Sequence, residues 1–84
     1  MYKIEFSKQA EAQFDKLPSD LRNRIFNVLD RIKLRPHHFV KRLVGCSYFS
    51  LRVGEYRLIL DIQRDKLIIF VLELGHRKNI YKGL

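Results

Sequence analysis

Four segments of the chain show the spacing of apolar residues that is typical of β-strands. "YKIEF" at 2–6, "YFSLRV" at 48–53 and "YRLILDI" at 56–62 each alternate apolar and polar side chains, as strands with one buried face do. "KLIIFVLEL" at 66–74 is apolar on both faces, which is typical of a strand inside a sheet. The pattern therefore predicts one strand at the N-terminus and three in the second half, with "QRDK" at 63–66 as the last turn.

The segment between the first two predicted strands has the spacing of amphipathic helices. Ser7 is a suitable N-cap for a helix through Leu17, and Pro18 interrupts the chain there. A second helix is predicted from 19 to about 34, ended by Pro36. Its buried stripe is predicted to contain Leu21, Ile25, Val28 and Ile32. Because so few residues separate the two helices, we expect them to form a helical hairpin.

A two-residue loop connects the second and third predicted strands. Gly54 in its first central position suits a type II′ turn, which pairs Val53 with Tyr56. Leu51 then faces Leu58, so the apolar faces of the two strands coincide. The order β-α-α-β-β-β predicts an α+β fold with a mostly antiparallel four-stranded sheet and an N-terminal helical hairpin packed on one face. The 84 residues suffice for one domain, 1–84.

The net charge of +8 is unevenly distributed along the chain. Residues 1–30 carry five basic and five acidic side chains, 31–57 carry seven and one, and 58–84 carry five and three. A concentrated basic surface attracts phosphate backbones or an acidic protein, although such a charge can also serve only to keep a protein soluble. Because residues 1–30 carry no net charge, the positive charge is concentrated in the rest of the chain. This distribution favours a basic binding surface over a charge that serves only solubility.

The sequence points to the cytoplasm, with no membrane partner. No apolar run approaches the roughly 20 residues that span a bilayer, and "MYKIEFSK" is too short and polar for a signal peptide. The single cysteine, Cys46, cannot form an internal disulfide.

The predicted hairpin register places two arginines face to face. Arg52 lies opposite Arg57, and like charges in this position destabilise a strand pair unless an anion or a carboxylate neutralises them. The alternatives are that both reach into water, or that Arg52 meets Glu55 or Glu73.

The last strand should carry further polar side chains to the same end of the sheet, because it runs antiparallel to the strand of Arg57. They are Gly75, His76, Arg77, Lys78 and Tyr81. Such a cluster could hold a phosphodiester and handle its protons, or stack a base on Tyr81.

These segments resemble the RelE/ParE toxin superfamily over nearly the whole chain. The resemblance is carried by R-x-x-x-Y-R in "YFSLRVGEYRLILDI" and by G-H-R-K-x-x-Y in "DKLIIFVLELGHRKNIYK". The element order and the "LP" between the helices agree with it. It implies a toxin of a type II toxin-antitoxin system and, in the RelE branch, an mRNA endonuclease acting in the ribosomal A site. There the substrate's 2′-hydroxyl attacks the adjacent phosphate without a metal or cofactor.

The resemblance also implies roles for individual residues. Arg57 and Arg77 would stabilise charge on the phosphate, and Tyr81 would transfer a proton or stack on a base. The predicted RNA-binding residues are Arg52, His76, Lys78, Lys41 and Arg42. The chain departs from the RelE pattern at Tyr48 and Ser50, where acid–base lysines are expected, so His76 or Lys78 would take over part of that role.

Other interpretations remain open at this point. A ParE-like toxin would inhibit DNA gyrase without cutting RNA, and a plain RNA-binding module would lose only affinity on Tyr81→Phe. His37, His38 and Cys46 lack the spacing of a four-ligand metal site, and the histidines are predicted to lie in a basic loop that touches ribosomal RNA. The resemblance implies an acidic RelB-like antitoxin that wraps the toxin, besides the ribosome and mRNA as partners.

Overall fold

The computed structural model describes residues 1–76 and 78, and its elements follow the predicted order with one additional strand. The elements are β1 (Lys3–Phe6), α1 (Lys8–Asp15), α2 (Ser19–Ile32), a 3-10 helix (Pro36–His38), β2 (Lys41–Arg42), β3 (Phe49–Val53), β4 (Tyr56–Gln63) and β5 (Ile68–His76). Within the described residues the sheet has the order β1-β5-β4-β3-β2. Only β1 and β5 run parallel, so the α+β fold and the mostly antiparallel sheet are confirmed.

The predicted count of four strands is wrong, because β2 adds a fifth strand at the edge of the sheet. Lys41 pairs with Ser50 and Arg42 with Phe49, so this part of the basic connection runs antiparallel to β3. Two residues are too few to show any hydrophobic period, so the sequence pattern had no means of indicating this strand.

Two element boundaries also differ from the prediction. The second helix ends at Ile32 and not near residue 34. The last strand begins at Ile68, two residues later than predicted, since Leu67 has φ +54° and takes part in the turn. A left-handed backbone at a non-glycine residue cannot continue a strand.

The hydroxyl group of Ser7 joins α1 to the sheet because it both accepts and donates a hydrogen bond. Its Oγ accepts a hydrogen bond from the backbone N–H of Ala10 at 3.0 Å, as the predicted N-cap should. The same hydroxyl donates to the carbonyl of Leu72 at 2.7 Å. In addition, the backbone N–H of Leu74 donates to Oε1 of Gln13 at 2.9 Å. The helix thus covers the edge of β5 where β1 ends, and satisfies strand groups that would otherwise be unpaired.

The helices cover one face of the sheet and bury the core there, as predicted. From α2, Ile25, Leu29 and Ile32 are buried against the sheet, with Leu21 and Val28 at the margin. The strands contribute Leu51, Val53, Leu58, Leu60, Ile69, Val71 and Leu74. We call the opposite side the open face, because neither helix covers it.

A β-bulge at Leu72 changes which residues of β5 point to the core. Leu60 pairs with Val71 but Ile59 pairs with Glu73, so Leu72 is an additional residue in β5. Val71 and Leu74 are both in the core although three positions separate them. Simple alternation would have placed Leu74 on the open face. The bulge therefore sets the orientation of the last part of β5.

None of the helices in the described part of the chain is long and apolar enough to cross a membrane.

Candidate functional site

The predicted pairing of Arg52 with Arg57 is present at the end of the β3–β4 hairpin. Val53 pairs with Tyr56, and Arg52 with Arg57 on the open face. Gly54 has φ +60° and Glu55 lacks a positive φ, as the predicted type II′ turn requires. The register follows from this turn, because a two-residue loop leaves only one pairing that keeps the leucines of both strands in the core.

The two arginines differ in their surroundings. Arg52 is exposed and bends toward the turn, where its Nε donates to the carbonyl of Gly54 at 3.1 Å. Arg57 is half-buried, with its Nε inaccessible to solvent. Partial burial orients a guanidinium group and strengthens its interaction with an anion, since less water competes. Arg57 is thus the better placed of the two to hold a phosphate in a defined orientation.

Lys41 lies on the open face near these arginines. It pairs with Ser50, which is two residues before Arg52 on the same face of β3. Ser50 is only 5% exposed, and its other cross-strand partner, Ile59, is 2% exposed. The open face therefore has a closely packed floor, from which Lys41, Arg52 and Arg57 rise as cationic groups.

The end of β5 lies beside the β3–β4 hairpin as predicted, but only some of its residues are on the open face. Gly75 pairs with Arg57 and therefore adds no side chain at this position of the open face. His76 pairs with Tyr56 instead, and the two rings make an edge-to-face contact with centroids 5.6 Å apart. His76 therefore lies at the predicted end of the sheet, but on the side of the helices.

Lys78 is exposed just beyond β5, and its backbone N–H donates to Nδ1 of His76 at 3.3 Å. A neutral His76 thus carries its proton on Nε2. The two other residues predicted for catalysis, Arg77 and Tyr81, lie outside the described residues, and their roles stay predictions.

Arg42 and the two loop histidines lie away from the paired arginines. Arg42 pairs with Phe49, so its side chain belongs to the opposite side of the sheet from Lys41. His37 makes an edge-to-face contact with Phe49 at 5.2 Å. Burial, together with the nearby charge of Arg64, lowers the pKa of His37 below its ordinary value, so neutral imidazole is favoured. Within 1–76 and 78, no group of three His, Cys, Asp or Glu side chains is arranged to hold a metal ion.

Sequence reasoning missed Arg24 of α2, which reaches the tip of the hairpin. A Cβ atom at position 54 would lie 3.0 Å from Nη1 of Arg24, so its guanidinium group covers the turn from the helix side. The available signal was its place beside the buried stripe, three residues after Leu21 and four before Val28. That spacing puts a long side chain at the border of the sheet, but the crossing of the helix over the sheet decides which turn it meets.

Together, these residues form a basic site on the open face. The open face carries the guanidinium groups of Arg52 and Arg57 and the amine of Lys41. These residues lie on three adjacent strands, β3, β4 and β2. Guanidinium groups bind phosphate in a bidentate manner, and several of them stabilise the additional negative charge of a phosphoryl transition state. The arrangement is therefore chemically suited to a phosphate group.

Residues 4–81 match the model of the family described as "ParE toxin of type II toxin-antitoxin system, parDE". The chain belongs to this toxin family. The toxin is 28% identical over 80 residues to the mRNA interferase toxin RelE of Escherichia coli strain K12, with 92% of this chain and 84% of RelE covered. It is 29% identical over 85 residues to toxin RelG of Mycobacterium tuberculosis, with 96% and 97% covered.

Among solved structures, the toxin is similar to a chain of the toxin-antitoxin complex RelBE2 from Mycobacterium tuberculosis. The TM-score is 0.83 at 25% identity, with 90% of this chain and 98% of that chain covered. The superfamily expected from the hairpin and the ending is therefore confirmed. One of these relatives is named mRNA interferase toxin RelE and the other toxin RelG, whereas the family description says ParE, so the names alone do not decide between the two activities.

Proposed function

We propose that this toxin is an endoribonuclease that cleaves mRNA on the ribosome, and that it works in the cytoplasm. The observation that carries the proposal is the Arg52–Arg57 pair on the open face, with Gly75 beside it. Like charges directly opposite each other weaken a hairpin, and an anionic ligand bound between them would remove this repulsion. The similarity to proteins named mRNA interferase supports RNA as that ligand.

The proposed reaction is an internal transfer at phosphorus. The 2′-oxygen of the substrate attacks the adjacent phosphorus, the bond from phosphorus to the 5′-oxygen breaks, and a 2′,3′-cyclic phosphate and a 5′-hydroxyl result. One proton leaves the 2′-hydroxyl and one reaches the 5′-oxygen. Arg57 holds the phosphate and stabilises the charge on its non-bridging oxygens in the transition state, with Arg77 in the same predicted role.

The RelE pattern has lysines at the positions of Tyr48 and Ser50, and Lys41 is a candidate to supply an amine in their place. Ser50 occupies one of those positions as a buried hydroxyl, and Tyr48 the other. Because Lys41 pairs directly with Ser50, its side chain starts from the same patch of the open face. Lys41 would place an ammonium group beside the phosphate, while Tyr81 is the proposed group for proton transfer. His76 is not proposed for this step, because it lies on the helix side of the sheet.

The proposed mechanism calls for no metal ion, since guanidinium and ammonium groups supply the positive charge that a metal would bring to the phosphate. Cleavage is then expected to continue in EDTA, provided that the ribosomes are first cross-linked so that loss of Mg²⁺ does not dissociate them. Loss of cleavage by such ribosomes would contradict this part of the proposal.

We also propose that an acidic RelB-like antitoxin wraps the toxin and neutralises the basic open face. Support comes from the net charge of +8 and from the RelBE complexes of similar proteins. The side-chain N–H signal of Arg57 should shift in an NMR spectrum when the antitoxin is added. An unaltered Arg57 signal in the saturated complex would contradict inhibition at this site.

The decisive experiment is cleavage of a defined mRNA on programmed ribosomes, with 5′ ends mapped by primer extension. Arg57→Ala is expected to lower the rate about 10²–10³-fold, which is typical for loss of one group that stabilises transition-state charge. Arg64→Ala is the matched control, because it removes the same charge just beyond the opposite end of β4. Arg77→Ala and Tyr81→Phe test the two predicted residues.

Gyrase inhibition is the second candidate function, favoured by the ParE description of the family. If folded wild-type protein leaves mRNA intact on ribosomes and blocks supercoiling by purified gyrase, the nuclease proposal is wrong. Cleavage that depends on ribosomes and is lost in Arg57→Ala but not in Arg64→Ala would decide for the nuclease.

A further inference from the structure

Arg24 forms a second basic position at the hairpin tip, on the other side of the sheet from Arg57. It is an exposed residue of α2, and its Nη1, Cζ and Nη2 atoms lie 3.0, 3.5 and 3.7 Å from where a Cβ of residue 54 would be. All three distances are short, so the guanidinium group lies across Gly54 rather than touching it with one atom. This close approach is possible because Gly54 has no side chain.

Two guanidinium groups thus approach the same turn from opposite sides. Arg52 comes from the open face, where its Nε donates to the carbonyl of Gly54. Arg24 comes from the helix side and covers the same glycine. Together with Arg57 they form a basic path that begins on the open face and passes around the hairpin tip.

We propose that Arg24 binds a backbone phosphate next to the one held at Arg52 and Arg57, so that single-stranded RNA bends around the hairpin tip. An extended RNA strand that crosses the open face carries one phosphate at each nucleotide. The phosphate that follows the one at Arg52 and Arg57 would then lie beyond the open face, at the hairpin tip. Guanidinium suits the position because its planar donors match phosphate oxygens. This inference rests on RNA being the ligand in the proposed function, and assigns Arg24 to binding rather than to chemistry.

The test is the salt dependence of binding to a fluorescent single-stranded 2′-O-methyl RNA of about ten nucleotides. This probe has no 2′-hydroxyl group, so it can be bound but not cleaved. Fluorescence anisotropy would give the Kd between about 50 and 300 mM NaCl for wild type and three variants. Arg24→Gln removes the charge, Arg24→Lys keeps it, and Arg31→Gln removes an equal charge from the last turn of α2.

The slope of log K against log salt is negative, and loss of one phosphate contact should lower its magnitude by about 0.7 for a single strand. This corresponds to about fivefold weaker binding at about 0.1 M salt. We expect this change in Arg24→Gln, with Arg24→Lys and Arg31→Gln close to wild type. Retention of the slope in Arg24→Lys distinguishes a charge contact from a structural role, which Lys would not restore.

An equal slope for Arg24→Gln and Arg31→Gln would overturn the inference, as would the absence of saturable binding by wild type at about 50 mM salt. The ribosome assay is independent of this result. Ribosomal cleavage with no specific effect of Arg24→Gln on the slope would refute the Arg24 contact and leave the nuclease standing. The expected loss of slope without cleavage would support the contact and refute the nuclease.

Discussion

Removing the charge of Arg52 should stabilise the free protein. Arg52 and Arg57 form the pair next to the closing pair Val53–Tyr56, and such pairs have Cβ atoms about 5 Å apart. If an anion is the partner of the two arginines, the hairpin without ligand retains their mutual repulsion. Its loss on mutation should be measurable as a gain in the free energy of unfolding.

The size of the repulsion follows from the distance between the charges and from their exposure. For the estimate we take a separation of about 7 Å between the two guanidinium groups, somewhat more than the distance between directly opposite Cβ atoms. With an effective dielectric constant of about 40–80 near the surface, the repulsion is about 0.6–1.2 kcal/mol before screening. At this distance, screening leaves about four fifths of it at about 0.01 M salt and two fifths at about 0.15 M. The expected energies are therefore about 0.5–1 and 0.25–0.5 kcal/mol.

The assay is urea unfolding of Arg52→Gln and Arg52→Lys at the two salt concentrations. Both variants lose the Nε donor to Gly54, but only Lys keeps the charge, so their difference isolates the electrostatic part. Urea is required because guanidinium chloride would itself screen the charges. We expect Gln to exceed Lys in unfolding free energy by about 0.5–1 kcal/mol at low salt and by about half of this at physiological salt.

Equal stability of the two variants at low salt would refute this reasoning. It would mean that a carboxylate already neutralises the pair within the fold, and the site would then have no excess charge to offer a phosphate. In ribosomal cleavage the expected order is reversed, with Arg52→Lys more active than Arg52→Gln. A variant that gains stability and loses activity is the pattern expected where charges are gathered for a ligand.

Three further predictions concern the elements that hold the site. Ser7→Ala should lower the unfolding free energy by about 1–2 kcal/mol in urea unfolding, because one hydroxyl both caps α1 and donates to Leu72; an unchanged midpoint would contradict this. Gly54→Ala should lower the unfolding free energy by about 1–2 kcal/mol, because residue 54 has φ +60°. It should also weaken RNA binding, because the added Cβ displaces Arg24. A variant with unchanged stability and binding would show that the turn has another shape. The pKa of His37 is lower in the folded protein than in the unfolded chain, so the unfolded state binds more protons and stability falls as pH drops from about 6.5 through the folded pKa. Thermal unfolding against pH should show this loss in wild type and a smaller one in His37→Gln; identical profiles would exclude His37 as its source.

Local chain geometry explains which parts of this toxin could be predicted from its sequence. The pairing of Arg52 with Arg57 follows from a two-residue loop with Gly54 and from the period of two along a strand. The start of α1 follows from Ser7, whose hydroxyl meets the N–H of a residue three positions later. These features depend on residues that are close in the chain, so local geometry specifies them without reference to how the helices pack on the sheet.

The remaining features depend on contacts between distant segments. The bulge at Leu72 forms where α1 meets β5, and it turns His76 toward the helices and leaves Gly75 opposite Arg57. The position of Arg24 over Gly54 depends on how α2 crosses the sheet. The sequence alone thus determined that two arginines face each other and that the last strand ends beside them. Only the tertiary structure decided which further groups join them, because packing of helices on the sheet sets those positions and no local pattern encodes it.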